Sequence, residues 1–150
     1  MIKYELAEWE QFKEEVKPLL PLHWEEIALD KTTVPLDPDW DEYDSLAAKG
    51  RLHLLTVRND GELVGYYVGI VRPHLHYKST LMAFNDVMYI KPAYRQGMVG
   101  VKIFKEIERT LKERGVEKMF MNTKEHHNFG VILERLGYRK TETIYTKVIV

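Results

Sequence analysis

The sequence predicts a mixed α/β domain in which helices accompany a sheet of mostly antiparallel strands. Two strand-like runs, residues 52–58 and 62–72, flank Asn59-Asp60-Gly61, and an Asp-Gly pair between such runs is a strong hairpin signal. Farther along, Ile103, Phe104, Ile107 and Leu111 recur at helical spacing between the strand-like residues 82–90 and 116–122. Strands therefore cluster mid-chain and then alternate with helices, the order of a layered α/β architecture.

Each element follows from its own pattern. Residues 2–6 read as a short strand, after which Trp9, Phe12, Val16 and Leu19 share one helical face that Pro21 interrupts. Residues 22–30 suit a second helix, Pro35, Pro38 and several aspartates mark an irregular stretch, and residues 43–49 form a helical piece stopped by Gly50. Residues 73–80 read as a loop or ragged strand end. The 99–114 helix carries Arg109, Lys112 and Arg114 in its last turn and Gly115 where a C-terminal cap belongs. Phe129, Ile132, Leu133 and Leu136 give a last helical face capped by Gly137, and residues 138–150 supply final strand material.

At 150 residues, 45% hydrophobic and 30% charged, the chain suits one domain, 1–150, with a sizeable core. A net charge of -1 with interspersed signs points to neither nucleic acid nor an anionic membrane. The absence of cysteine excludes disulfides, a Cys nucleophile and thiolate metal sites. With neither an apolar leader core at the start nor an apolar run of the ~18 residues that span a bilayer, a cytoplasmic location is expected. There is no G-x-x-x-x-G-K-[ST] or G-x-G-x-x-G string, which argues against P-loop and Rossmann phosphate binding.

The most informative segment is Tyr94-Arg95-Gln96-Gly97-Met98-Val99-Gly100, between a strand that Pro92 ends and a helix that starts near Val99. The first helical turn holds no carboxylate; Arg95 precedes it and Lys102 lies within it, opposite to the preference of a helix dipole. Glycines there let free N–H groups approach a phosphate closely. An ordinary glycine-containing connection is the alternative reading.

With Ile90-Lys91-Pro92-Ala93-Tyr94-Arg95 leading into that turn, the chain resembles the GNAT superfamily of acetyl-CoA-dependent N-acetyltransferases over essentially its whole length. Arg95 and Gly100 hold the outer positions of the family's [RQ]-x-x-G-x-[GA] turn, the inner glycine position falls on Met98, and a glycine stands one place earlier at Gly97. Gly137-Tyr138 matches the family's closing Gly-aromatic pair, while Leu133 and His126 stand where members usually carry Tyr and Asn. Residues 22–27 and 72–78 are also similar to a little-characterised group within the family often carried by bacteriophages and their hosts.

The resemblance implies a twisted, mostly antiparallel sheet of six to seven strands flanked by about four helices. It implies acetyl-CoA as donor, with the main chain of Met88, Tyr89 and Ile90 along its pantetheine arm and Arg95, Gln96, Gly97, Met98, Val99 and Gly100 around its pyrophosphate. Asp86 matches the position of a carboxylate that takes the proton of an amine, directly or through water; a hydrogen-bonded strand carboxylate is the alternative. Alternation along the strand would place Asp86, Met88 and Ile90 on one face.

For the acceptor, a small-molecule, peptide or protein amine is expected, without metal, nucleic acid or membrane. His74, His76 and Tyr77 fall on a loop that borders the acceptor cleft in the family, and Glu25 and Glu26 would attract a cationic amine; an ordinary polar loop and a solvated helix face are the alternatives. Trp24, Trp40 and Tyr43 read as acceptor-site walls or as core. The apolar Val148-Ile149-Val150 suggests a buried strand and a homodimer. A non-catalytic acyl-CoA-binding module remains the alternative to an enzyme, because Leu133 cannot donate a proton.

Overall fold

The Asp-Gly pair forms the hairpin expected of it. In the computed structural model, which describes residues 1–150, Asn59 pairs with Glu62 across a two-residue turn. Asp60 and Gly61 take φ values of 49° and 89°, the left-handed pair that matches the twist of the flanking strands.

The element order is β1 (Ile2–Leu6), α1 (Trp9–Val16), α2 (Leu20–Ile27), α3 (Trp40–Ala48), β2 (Leu52–Asn59), β3 (Glu62–His74), β4 (Tyr77–Ile90), a 3-10 turn (Pro92–Tyr94), α4 (Val99–Glu113), β5 (Lys118–Phe120) and α5 (Gly130–Arg135). The chain divides into two compact units, residues 1–17 with 39–122 and residues 18–38 with 123–150. No helix is long and apolar enough to cross a membrane.

The first unit holds the sheet, in the order β1-β2-β3-β4-β5, antiparallel except for the parallel pair β4 and β5. Its two faces are told apart by consecutive residues of β3, whose side chains point opposite ways. Tyr66 meets Phe12 of α1 at 5.6 Å between ring centroids, whereas Tyr67 meets His53 at 6.4 Å, and His53 is bonded to Thr110 of α4. Helices α1 and α3 thus cover the Tyr66 face and α4 the Tyr67 face. The apolar stripe of α4, Ile103, Phe104, Ile107 and Leu111, is buried, as are Trp9, Phe12 and Val16 of α1. Arg58 adds a two-pronged ion pair to Glu15, at 2.6 and 2.9 Å, which ties α1 to β2.

The second unit holds α2 and α5. Pro21 opens α2 instead of interrupting a helix, because a proline in the first turn forfeits no intrahelical bond. Leu19, His23 and Leu133 are buried.

Three further expectations need correction. The sheet has five strands, not six to seven, and five α-helices accompany it, not about four. The missing strand material is residues 138–150, which form no element; Tyr145 and Val150 are 91% and 101% exposed, and Val148-Ile149-Val150 is not a buried strand. The β-prone side chains there are real, but a strand needs a partner edge for its N–H and C=O groups, and that is not written in side-chain pattern. Residues 73–80 are mostly strand: β3 and β4 extend to a tight turn at Leu75 and His76.

Candidate active site

The site is built on an irregularity in β4. Val87 pairs with Val68 and Asn85 with Gly69, so Asp86 is an inserted residue with no partner on β3, a β-bulge. The bulge resets the alternation. Tyr89 packs against Tyr66 at 5.8 Å, and Asp86 accepts a 2.5 Å hydrogen bond from Tyr43 of α3, which stacks on Trp9 at 5.4 Å. Asp86 therefore lies on the face of Tyr66 and Tyr89, while Met88, opposite Tyr67, lies on the other. The expected sharing of a face by Asp86, Met88 and Ile90 fails because one extra residue shifts the register.

Opposing influences act on the Asp86 carboxyl. Burial raises its pKa above the ordinary carboxylate value, and the bond donated by Tyr43 pulls it down. Tyr43 is itself held in its neutral form, by burial and then by the bond to Asp86.

Beside the bulge the sheet opens. Strand β5 pairs only with Met82, Ala83 and Phe84, and the stacked rings of Phe84 and Phe120, 4.8 Å apart, fill the last rung. Strand β4 continues to Ile90 with no strand on that side. Because Lys91 N donates to Val64 O at 2.8 Å, alternation along the antiparallel ladder turns the main-chain groups of Met88 and Ile90 away from β3 and toward the open edge. The side-chain carbonyl oxygen of Asn85, before the bulge, is buried without a hydrogen-bond partner.

The turn after β4 is fixed from within. Arg95 Nε donates to Ile90 O at 2.7 Å, and the guanidinium lies 5.7 Å from the centroid of the buried Tyr89 ring. Gly97 takes φ 69°, a conformation that glycine adopts without strain, so the shifted glycine supplies the bend and Met98 becomes the exposed residue before α4. The first turn of α4 has neither a side-chain cap nor an acidic residue, and its leading N–H groups have no intrahelical acceptor. A Cβ built on Gly100 would meet nothing within 4 Å. Free N–H groups, an open approach and the positive end of a long helix fit a pyrophosphate. Gln96 is exposed and Val99 half-buried at the same turn.

The other candidates fall elsewhere. His74, His76 and Tyr77 gather at the β3–β4 tip, where the two imidazoles stack at 5.2 Å and His74 Nδ1 accepts from His76 N. His74 also lies 6.2 Å from Phe84, which links the tip to the rung where β4 and β5 part. In the second unit, Glu25 binds Lys31 Nζ through its carbonyl at 2.7 Å and its carboxylate at 3.3 Å, and Glu26 lies 3.7 Å from His127 Nε2. Leu133 is 7% exposed. The pairing of Tyr43 with Asp86 was not legible in sequence, since 43 residues separate the two and nothing local marks them as partners.

An open strand edge beside a bulged carboxylate is thus followed by a bare helix start. A model of the acetyltransferase (GNAT) family matches residues 9–138, and the chain belongs to that family. No curated protein matches it. Solved structures share the fold at low identity. A ribosomal-protein-alanine N-acetyltransferase from Brucella melitensis biovar Abortus 2308 is 19% identical with a TM-score of 0.72, each chain covered over 100% of its length. Aminoglycoside acetyltransferase HMB0005, from an uncultured soil metagenomic sample, is 15% identical with a TM-score of 0.73, over 100% of this chain and 99% of that one. A predicted acetyltransferase from Clostridium acetobutylicum with acetyl-CoA is 13% identical with a TM-score of 0.71, over 99% of this chain and 96% of that one.

Proposed function

We propose that this protein is an acetyl-CoA-dependent N-acetyltransferase that passes acetyl directly to a primary amine, with Asp86 as the base and residues 1–150 acting as one domain. The observation that carries this reading is the bulge: it sets the carboxyl of Asp86 on a stretch of β4 whose neighbouring main-chain groups, those of Met88 and Ile90, face an open edge. Family membership and the same fold in a neighbour that holds acetyl-CoA support the choice of donor.

When bound, acetyl-CoA supplies an acetyl group activated as a thioester. Gly97, Met98, Val99 and Gly100 hold its pyrophosphate through main-chain N–H groups. The main-chain groups of Met88 would pair with the pantetheine arm as an added strand would, and the N–H of Ile90, whose carbonyl is held by Arg95, would polarise the thioester oxygen. Asp86 removes a proton from the incoming ammonium, whose nitrogen needs its lone pair to attack the acetyl carbon. No cysteine exists to form a thioester with the enzyme. Leu133 offers no proton to the departing thiolate, which needs none near neutral pH because its parent thiol has a pKa of about 8.5.

The acceptor is a small-molecule, peptide or protein amine. His74, His76 and Tyr77 are proposed to border it at the β3–β4 tip, and Glu25 and Glu26 to attract its positive charge. One observation favours a second reading, a non-catalytic acyl-CoA-binding module: the buried side chain at 133 is pure hydrocarbon. Free-thiol release from acetyl-CoA across a panel of primary amines separates the two. Amine-dependent release supports the enzyme, and tight binding without release across the panel supports the module.

A further inference from the structure

Asp86 is not a solitary carboxylate. Its Oδ2 is engaged at 2.5 Å by the Tyr43 hydroxyl, which reaches it from a different element, and Tyr43 is seated by the Trp9 ring stacked 5.4 Å away. Trp9 is anchored in turn, because its Nε1 donates to Asp44 Oδ1 at 2.6 Å and Lys13 Nζ binds the same carboxylate at 3.1 and 3.2 Å. A chain of fixed contacts thus runs from an ion pair shared by α1 and α3 to the bulge.

We propose that Tyr43 is the positioning residue of the base: by occupying Oδ2 it holds the Asp86 carboxylate in one orientation and leaves Oδ1 as the oxygen that receives the substrate proton. This rests on the acetyl-transfer reading. One proton moves from the ammonium nitrogen to Oδ1; the freed lone pair forms the new C–N bond, the C–S electron pair leaves with the thiolate, and the second nitrogen proton, acidic once the nitrogen is acylated, passes to that thiolate or to water. Tyr43 keeps its own proton throughout.

The arrangement also sets the strength of the base. The titratable groups packed on this face are the phenols Tyr43 of α3, Tyr66 of β3 and Tyr89 of β4, with the Arg95 guanidinium against the Tyr89 ring; Lys13 and Asp44 neutralise one another. Burial raises the pKa of Asp86. The single donor Tyr43 opposes it, since a hydrogen bond to the ionised form favours that form.

The test is Tyr43→Phe, which deletes the hydroxyl and keeps the ring stacked on Trp9. Carbon-13 aspartate NMR of the ligand-free protein follows the Asp86 carboxyl, whose midpoint is expected to rise. The acid limb of kcat/KM for the amine should move up by the same amount, with KM for acetyl-CoA within about twofold of wild type. Replacement of Tyr43 by 3-fluorotyrosine, a stronger donor of nearly equal volume, should move both midpoints down. Folded variants whose Asp86 midpoint stays at the wild-type value, or whose midpoint moves without the acid limb, would overturn the proposal. If wild type turns over no amine, the acetyl-transfer reading fails, and the NMR midpoint still decides whether Tyr43 governs Asp86.

Discussion

His53 Nε2 lies 2.8 Å from Thr110 Oγ1, and this buried contact joins β2 to the last turns of α4. The Thr110 hydroxyl donates to Glu106 O at 2.8 Å, so it accepts from His53 Nε2–H, while Nδ1 accepts from Arg114 at 3.3 Å. Arg114 also binds Leu52 O at 2.6 Å and Gly50 O. The imidazole is thereby held neutral, with both nitrogens used.

A pH dependence of stability follows. Burial, then the charge of Arg114, push the His53 pKa from 6.5 down to about 4. The unfolded chain takes up a proton near pH 6.5 that the folded chain refuses until about pH 4, so stability falls as pH falls through that window. With His53 3% exposed, the loss is roughly 3 kcal/mol. Urea unfolding at pH 7 and pH 4.5 measures it, and in His53→Gln the part of the change due to this residue should vanish.

The two glycines of the turn should separate folding from binding. Gly97→Ala forces a side chain into a left-handed φ of 69° and should cost about 1 kcal/mol of stability by thermal melting. Gly100→Val has open space and no such strain, so its melting temperature should fall little. Its side chain would stand in the path of the phosphates, and calorimetry should show coenzyme A affinity reduced at least tenfold, about 1.4 kcal/mol.

Arg95 holds the turn closed through Ile90 O and the Tyr89 ring. A lysine has no Nε–H fork with which to do both. Arg95→Lys should therefore speed amide hydrogen exchange in residues 92–98 while the core of α4 around Ile107 keeps its protection.

Much of this was legible in one dimension, and what was not shares a cause. The hairpin at Asp60-Gly61, the stripe of α4 and the uncapped, carboxylate-free start of α4 are local, with spacing and turn chemistry visible within a few residues. The bulge at Asp86 is a property of two strands at once, so periodicity within β4 alone gave the wrong face. Tyr43 read as an acceptor-site wall or as core, because its hydroxyl meets Asp86 only through tertiary contact. Residues 138–150 have the side chains of a strand and no partner edge.

Asp86 at the bulge is proposed to take the proton that frees the amine for acetyl transfer. The most direct test is the pH dependence of kcat/KM for wild type and Asp86→Asn with the best amine of the panel, alongside coenzyme A affinity by calorimetry. The account predicts a turnover loss of about a hundredfold or more in Asp86→Asn, disappearance of the acid limb, and affinity within about twofold of wild type. An Asp86→Asn enzyme with wild-type turnover and an unchanged acid limb would contradict it.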